Sequence, residues 1–386
     1  MRWSMILIAL VFAGGGKVRG EETFRFPTGR QGKGELRYLA GLPVLTVAGS
    51  PEEMGKDEGA LALKPGKRVL TYTRELLGKR DADRLWPLFV QGGRGMFQHF
   101  PKAYREELLA MTEAAGASRD AVIVGNTLFD LKKIFACSAI VLEGERTSTG
   151  GPLLARNLDY PSLGYVQHYS LVTIYRPSGK HAFASVGFPG LLGCLSGIND
   201  AGLCLGILEV FDVKEGVKSF NARGLPFALC NRRLLEECTT VEEAHRLLKT
   251  LPRTGTMNLA LADRHKAAIL EITPDRVLMR KADQGVCLCT NHFHSPPLKP
   301  ARPANVCYSF ERYARLERVR DLKEKVGPRD LLAELHAVNL ADETLQTMVF
   351  EPATLRLHLS VGPLPASKGP LRTLDLKPLL LGKTSP

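Results

Sequence analysis

Cys137 divides the sequence into two stretches with different hydrophobic periods, and that change limits the fold more than any other feature. From Cys137 onward, apolar residues come in short alternating runs separated by turn residues, the period of half-buried strands. The runs at 139–142, 153–155, 169–175, 181–186, 202–208, 257–262, 267–272 and 286–290 predict strands, with a last group at 346–350 and 354–361. Helical spacing interrupts them at 226–237, 241–250, 309–325 and 328–336. Before Cys137 the spacing is mainly helical. An apolar stretch at 42–47 leads into Gly49-Ser50-Pro51-Glu52-Glu53, which places Ser50 as an N-cap and Pro51 at the first helical position. Helical periodicity returns at 85–100, 102–115 and 119–132. Many strands joined by short turns and flanked by helices predict an α+β fold, with helices packed on largely antiparallel sheet.

Several function classes are disfavoured. The net charge of +12 is diffuse, and 312–325 alternates its basic residues with Glu317, Asp321 and Glu324, the pattern of a solvated helix face. Without clustered basic residues and aromatic platforms, nucleic-acid binding is not expected. No glycine-rich phosphate loop follows a predicted strand, so no cofactor is expected. At the N-terminus, Arg2 precedes the apolar run 5–13 and Gly14-Gly15-Gly16. Nine apolar residues are too few to span a bilayer as a helix, and the arrangement reads as a secretory signal over 1–20. No stable membrane insertion is expected, and the localisation is secreted or periplasmic. Export permits disulfides, but if Cys137 stays a free thiol, seven of the eight cysteines remain and one more is left unpaired.

The chemistry centres on Cys137-Ser138-Ala139-Ile140-Val141-Leu142 followed by Gly150-Gly151-Pro152-Leu153-Leu154-Ala155-Arg156-Asn157-Leu158-Asp159-Tyr160. Strand, turn and strand would bring Cys137 back beside Arg156 and Asp159. A cysteine attacks as its thiolate, and a guanidinium nearby favours that form. Asp159 could orient the arginine or a protonated amine. The plainer alternatives are a small buried thiol and a surface ion pair.

This run resembles the N-terminal nucleophile hydrolases of the peptidase C45 group, the isopenicillin N acyltransferase-like enzymes, which are related to penicillin V acylases, bile salt hydrolases and acid ceramidase. Gly49-Ser50-Pro51 through Gly55 and Gly59, Gly197-Ile198-Asn199-Asp200-Ala201-Gly202-Leu203, Thr290-Asn291-His292-Phe293 and Ser309-Phe310-Glu311-Arg312 resemble further family motifs in the same order. The resemblance implies a four-layer αββα sandwich of two stacked, mainly antiparallel sheets. It implies self-cleavage between Ala136 and Cys137, dividing a mainly helical segment 21–136 from a catalytic segment 137–386, with the two fragments staying associated. The freed α-amine, ordinarily at about 7.7–8.0, would serve as the thiol's base. By family position Asn291 is expected as an oxyanion donor, Asn199 as a positioning residue near the amine or substrate, and Arg312 as a further site residue. The partner is then a small acyl-amide or short peptide, and amide hydrolysis is favoured over acyl-CoA-dependent transfer because the chain reads as exported.

Alternatives remain. Asn199 fits a turn, Asn291 a strand end, and Arg312 a pair with Glu311 or Glu317. Cys137 with His292 would make a papain-like dyad, Cys287, Cys289, His292 and His294 a metal site, and an exported binding domain could keep the fold without activity.

Overall fold

The computed structural model describes residues 23–133 and 135–382; the secretory signal read at 1–20 lies outside them. The first half holds β1 (Gly29–Gln31), β2 (Gly34–Leu39), β3 (Leu42–Gly49), α1 (Pro51–Glu58), α2 (Tyr72–Leu77), α3 (Lys79–Phe97), α4 (Lys102–Ala115) and α5 (Arg119–Leu131). Then come β4 (Ala136–Leu142), β5 (Leu153–Asp159), β6 (Leu171–Pro177), β7 (Phe183–Gly187), β8 (Ser196–Asn199) and β9 (Cys204–Glu209). Helices α6 (Phe227–Glu237) and α7 (Val241–Thr250) precede β10 (Met257–Ala262), β11 (Ala267–Ile272), β12 (Val277–Lys281) and β13 (Val286–Cys289). The chain closes with α8 (Ser309–Leu316), α9 (Pro328–His336), β14 (Thr344–Glu351), β15 (Arg356–Val361), β16 (Arg372–Asp375) and α10 (Lys377–Leu381).

The strands form two sheets, ordered β1-β2-β3-β6-β7-β8-β9-β10-β11-β12 and β13-β4-β5-β14-β15-β16. All neighbours run antiparallel except β3 and β6, which pair in parallel from Val44↔Val172 to Gly49↔Pro177. Strand alternation then assigns each face. Cys137, Ala139 and Val141 of β4 join Leu154 and Leu158 of β5 in the core between the sheets, with Cys204, Leu208, Ala260 and Ala262 from the larger sheet. Ile140, Leu142, Leu153 and Ala155 point the other way, into a second core closed by Leu316 of α8 and Leu331 and Leu335 of α9. Helices α1, α6 and α7 cover the outer face of the larger sheet. The molecule is the α+β, αββα arrangement expected, and β4 and β5 are buried on both faces because they lie in its interior.

The lead-in to Ser50 carries no predicted element. It forms β1–β3, and the segment before Cys137 thereby supplies three strands to the ten-stranded sheet. Local periodicity does not reveal this, because β3 is held by a strand more than 120 residues away. The Ser50 cap is present: its Oγ accepts from the Glu53 N–H at 3.2 Å, while its own N–H donates to Glu53 Oε2 at 2.8 Å. The helix expected over 309–325 stops at Leu316 and continues only as a 3-10 turn, Glu317–Asp321.

Candidate active site

Cys137 enters on the second residue of β4, opposite Leu158 of β5, and the same pairing sets Ala139 against Arg156 and Ala136 against Asp159. The turn expected between these strands therefore does bring the three residues together. Alternation puts Arg156 on the face of Cys137, and its Nη2 donates to Cys137 Sγ at 2.8 Å. Its Nη1 donates to the Leu195 carbonyl at 2.8 Å and to Ser196 Oγ at 2.7 Å, fixing the guanidinium from the larger sheet. The side chain reaches there across Gly206 of β9, where an added Cβ would lie 2.7 Å from Arg156 Cδ. Glycine is needed here for clearance. Gly206→Ala is expected to displace the guanidinium, costing about 1–3 kcal/mol of stability and slowing alkylation of Cys137. Unchanged thiol reactivity in a correctly folded variant would contradict that role.

Cys137 is fully buried, and burial pushes its thiol up to about 12 against the opposing pull of Arg156; Asp159 adds to the rise. Buried in this way, the thiol is neutral. Burial likewise lifts the Asp159 carboxyl to about 6, although Arg312 and the Thr344 hydroxyl, which donates to Oδ1 at 2.6 Å, favour its charged form.

The late residues meet the same strand from the other side. The Cys137 N–H donates to Asn291 Oδ1 at 3.0 Å, and Arg312 Nη2 donates to the same oxygen at 2.6 Å. Arg312 Nη1 donates to the Cys137 carbonyl at 2.6 Å and to Ser138 Oγ at 2.7 Å. With two donors on its oxygen, the Asn291 amide has one orientation, and its Nδ2 donates away from Cys137, to the Glu209 carbonyl at 2.8 Å. The amide N–H expected to serve an oxyanion is thus turned to Glu209, while the oxygen holds the Cys137 nitrogen. Glu209 was not foreseen. Its Oε2 accepts the Phe135 N–H at 3.0 Å, so the peptide is held on both sides of the Ala136–Cys137 bond. Nothing in the local pattern at the end of β9 marked it. Ser309 was likewise seen only as part of a helix start, yet its Oγ accepts the Asn291 N–H at 2.8 Å.

Asn199 does not join this cluster. Its Nδ2 donates to the Leu235 and Cys238 carbonyls at 2.9 and 2.7 Å, and its Oδ1 accepts the Leu203 N–H at 2.9 Å. These three bonds tie the β8–β9 turn to the end of α6, the placement of a turn residue. Asn199→Ala is expected to lower stability by about 2–4 kcal/mol, since buried carbonyls lose their donors, while the thiol of the folded fraction keeps its reactivity. Equal melting of variant and parent would contradict this.

The rival sites do not assemble. His292 turns Nδ1 toward Ser309 Oγ at 2.8 Å and packs its ring on His294 and Phe310, and burial presses its imidazole down to about 4. Among the described residues no three His, Cys, Asp or Glu side chains converge as a metal site, and no helix is long and apolar enough to cross a membrane. None of the eight cysteines is paired.

A sequence model of the acyl-coenzyme A:6-aminopenicillanic acid acyl-transferase family matches residues 146–363, more than half of the chain, and includes Arg156, Asp159, Asn291 and Arg312. The Dictyostelium discoideum protein dcd1B is 25% identical over 185 residues, 47% of this chain. The match spans 36% of that protein's length. Among solved structures, a conjugated bile acid hydrolase variant from Clostridium perfringens aligns at 14% identity over 62% of this chain and 92% of its own, with a TM-score of 0.47. Penicillin V acylase from Agrobacterium tumefaciens aligns at 15% identity over the same shares, with a TM-score of 0.41. The Caenorhabditis elegans ortholog of N-acylethanolamine-hydrolyzing acid amidase aligns at 14% identity over 56% of this chain and 93% of its own, with a TM-score of 0.43.

Proposed function

The chain belongs to the acyl-coenzyme A:6-aminopenicillanic acid acyl-transferase family, an N-terminal nucleophile group of acyl hydrolases and acyltransferases, and from that premise we propose that Cys137 is its nucleophile, freed by self-cleavage after Ala136. The observation that carries the proposal is the convergence on one residue of Arg156 at the thiol and Asn291 at the backbone nitrogen. A cation at the sulfur favours thiolate, and an acceptor at the nitrogen holds the future amine in place.

In the first step the Cys137 sulfur adds to the Ala136 carbonyl. The peptide C–N bond breaks, the nitrogen leaves as the amine, and water hydrolyses the thioester to release the Ala136 carboxylate. Loss of the Phe135-Ala136 cover admits water to Sγ. That removes most of the burial that holds the thiol up, while Arg156 stays. The amine, at about 7.7–8.0 when unperturbed, then takes the thiol proton at neutral pH. Thiolate attack on an amide gives a tetrahedral adduct, the amine returns the proton to the leaving nitrogen, and an acyl-enzyme remains. Water or a second amine completes the reaction.

The substrate class is an acyl-amide or short peptide, with hydrolysis ahead of transfer to an amine because the segment 5–13 marks the chain for export. Phe135, on the acyl side of the Ala136–Cys137 bond, packs among Phe129, Tyr160 and Phe227 at ring distances of 5.4, 6.2 and 6.3 Å. That enclosure favours acyl groups with a bulky apolar body. The test is acid quenching of the cleaved protein with N-acyl amides, followed by peptide mapping. An acyl mass on Cys137 that turns over to free acid is expected. Turnover of acyl-CoA plus an amine with negligible amide hydrolysis would overturn the hydrolase assignment.

A further inference from the structure

The polar interior between the sheet and α4 bears no relation to Cys137, yet it joins elements from opposite sides of the Ala136–Cys137 bond. Glu58 of α1 and Tyr104 and Glu107 of α4 come from the N-terminal side; Tyr175 of β6, Lys180, and Arg232 and Glu236 of α6 come from the other. Arg232 is buried and donates Nη1 and Nη2 to the two Glu107 oxygens at 2.9 and 2.7 Å and Nε to Glu236 at 2.8 Å. Its guanidinium lies over the rings of Tyr104 and Tyr175 at 4.7 and 4.8 Å. Tyr104 donates to Glu236 at 2.7 Å, and Lys180 pairs with the same carboxylate from the rim. Glu58 receives the Tyr175 hydroxyl at 2.9 Å and the Gly190 backbone, and faces Glu107 and Arg232.

Three buried carboxylates thus share two cations, and both cations already pair with Glu107 or Glu236. One carboxyl, Glu58, is left to be neutralised by a proton. A second lies at the end of α5: Asp130 is half-buried and meets no cation among the described contacts, accepting the Phe227 N–H at 3.1 Å and the Thr254 hydroxyl from across the cleavage point, with the Cys230 thiol, itself near Arg253 and Arg233, as its titratable neighbour.

We propose that this interface is a proton-dependent lock that keeps the N-terminal piece docked after cleavage, tight in acid and weaker in alkali. It rests on the cleavage proposed above. The sign follows from the carboxyls. Burial raises Glu58 from 4.5 to about 7 and Asp130 from 3.8 to about 7. The docked state therefore holds protons that separated pieces release. Its extra stability is full below the ordinary carboxylate range and is lost as pH rises through about 7.

The test is size-exclusion of a dilution series of the cleaved protein at pH 5.5 and pH 9. The dissociation constant of the two pieces is expected to rise about thirtyfold for each carboxyl, roughly a thousandfold in all, between them. In Glu58→Gln, a neutral side chain of the same shape, about thirtyfold of that rise should vanish, and adding Asp130→Asn should remove most of the remainder. Equal affinity at both pH values, or a Glu58→Gln profile identical to the parent, overturns the lock. If the chain proves uncut, the thermal midpoint of the intact protein reads the same interface. A midpoint that falls above pH 7 more in the parent than in Glu58→Gln would leave the lock standing although the uncut chain sinks the cleavage proposal; a flat parent profile would overturn the lock.

Discussion

Cys137→Ala is expected to leave the protein as one uncut chain and to abolish acyl turnover, a loss of at least about 10⁴-fold because nucleophile and base vanish together. Without the sulfur no atom is placed to attack the Ala136 carbonyl, and without cleavage no α-amine is released. Folding should survive the change. The side chain sits on the core face beside Ala139 and opposite Leu158, and it loses one sulfur whose hydrogen-bond partner, Arg156, keeps Leu195 and Ser196. Cys137→Ser separates the two roles. A hydroxyl can still cleave slowly, but it is harder to ionise, so the matured variant should remain much slower than the parent. An uncut parent that turns over substrate, or a Cys137→Ala chain that still splits, would place the chemistry elsewhere.

Arg156→Ala carries the second large effect. The guanidinium is buried, and among the described contacts it is the charged group that donates to Cys137 Sγ. Its removal withdraws the main opposition to the burial that raises the thiol. In the matured enzyme the pH at which Cys137 becomes alkylatable should therefore move upward, and turnover at pH 7 should fall by about 10²–10³-fold. Stability falls as well, by about 1–3 kcal/mol for each partner left without its donor, here the Leu195 carbonyl and Ser196 Oγ. A purely structural arginine would lower the melting point and leave the alkylation profile where it was. Arg156→Lys keeps a charge but cannot reach the sulfur, the Leu195 carbonyl and Ser196 with one fork, so it should restore little.

The strand pairing that builds the site was legible from residues 137–160, because two apolar runs and a glycine-rich turn specify a hairpin and alternation specifies its faces. The late contributors were legible as residues but not as roles. Asn291 was expected to offer its amide N–H and instead offers its oxygen, since the donors that meet it come from Cys137 and Arg312, remote in sequence. Asn199 sits in a motif that reads equally as a turn, and only its three partners decide the matter. Glu209 ends an ordinary apolar strand, so nothing local distinguishes it from a surface carboxylate. The strands β1–β3 escaped for a related reason: β6, which joins β3 to the rest of the sheet, lies beyond five helices. β8 escaped because Ser196-Gly197-Ile198-Asn199 is too short to show a period.

The intact mass of the purified protein, followed by sequencing of the larger fragment, tests the central claim most directly. Two fragments are expected, the larger beginning at Cys137, with a single thiol probe attached to that residue. One undivided chain whose Cys137 stays unlabelled while substrate is consumed would contradict it.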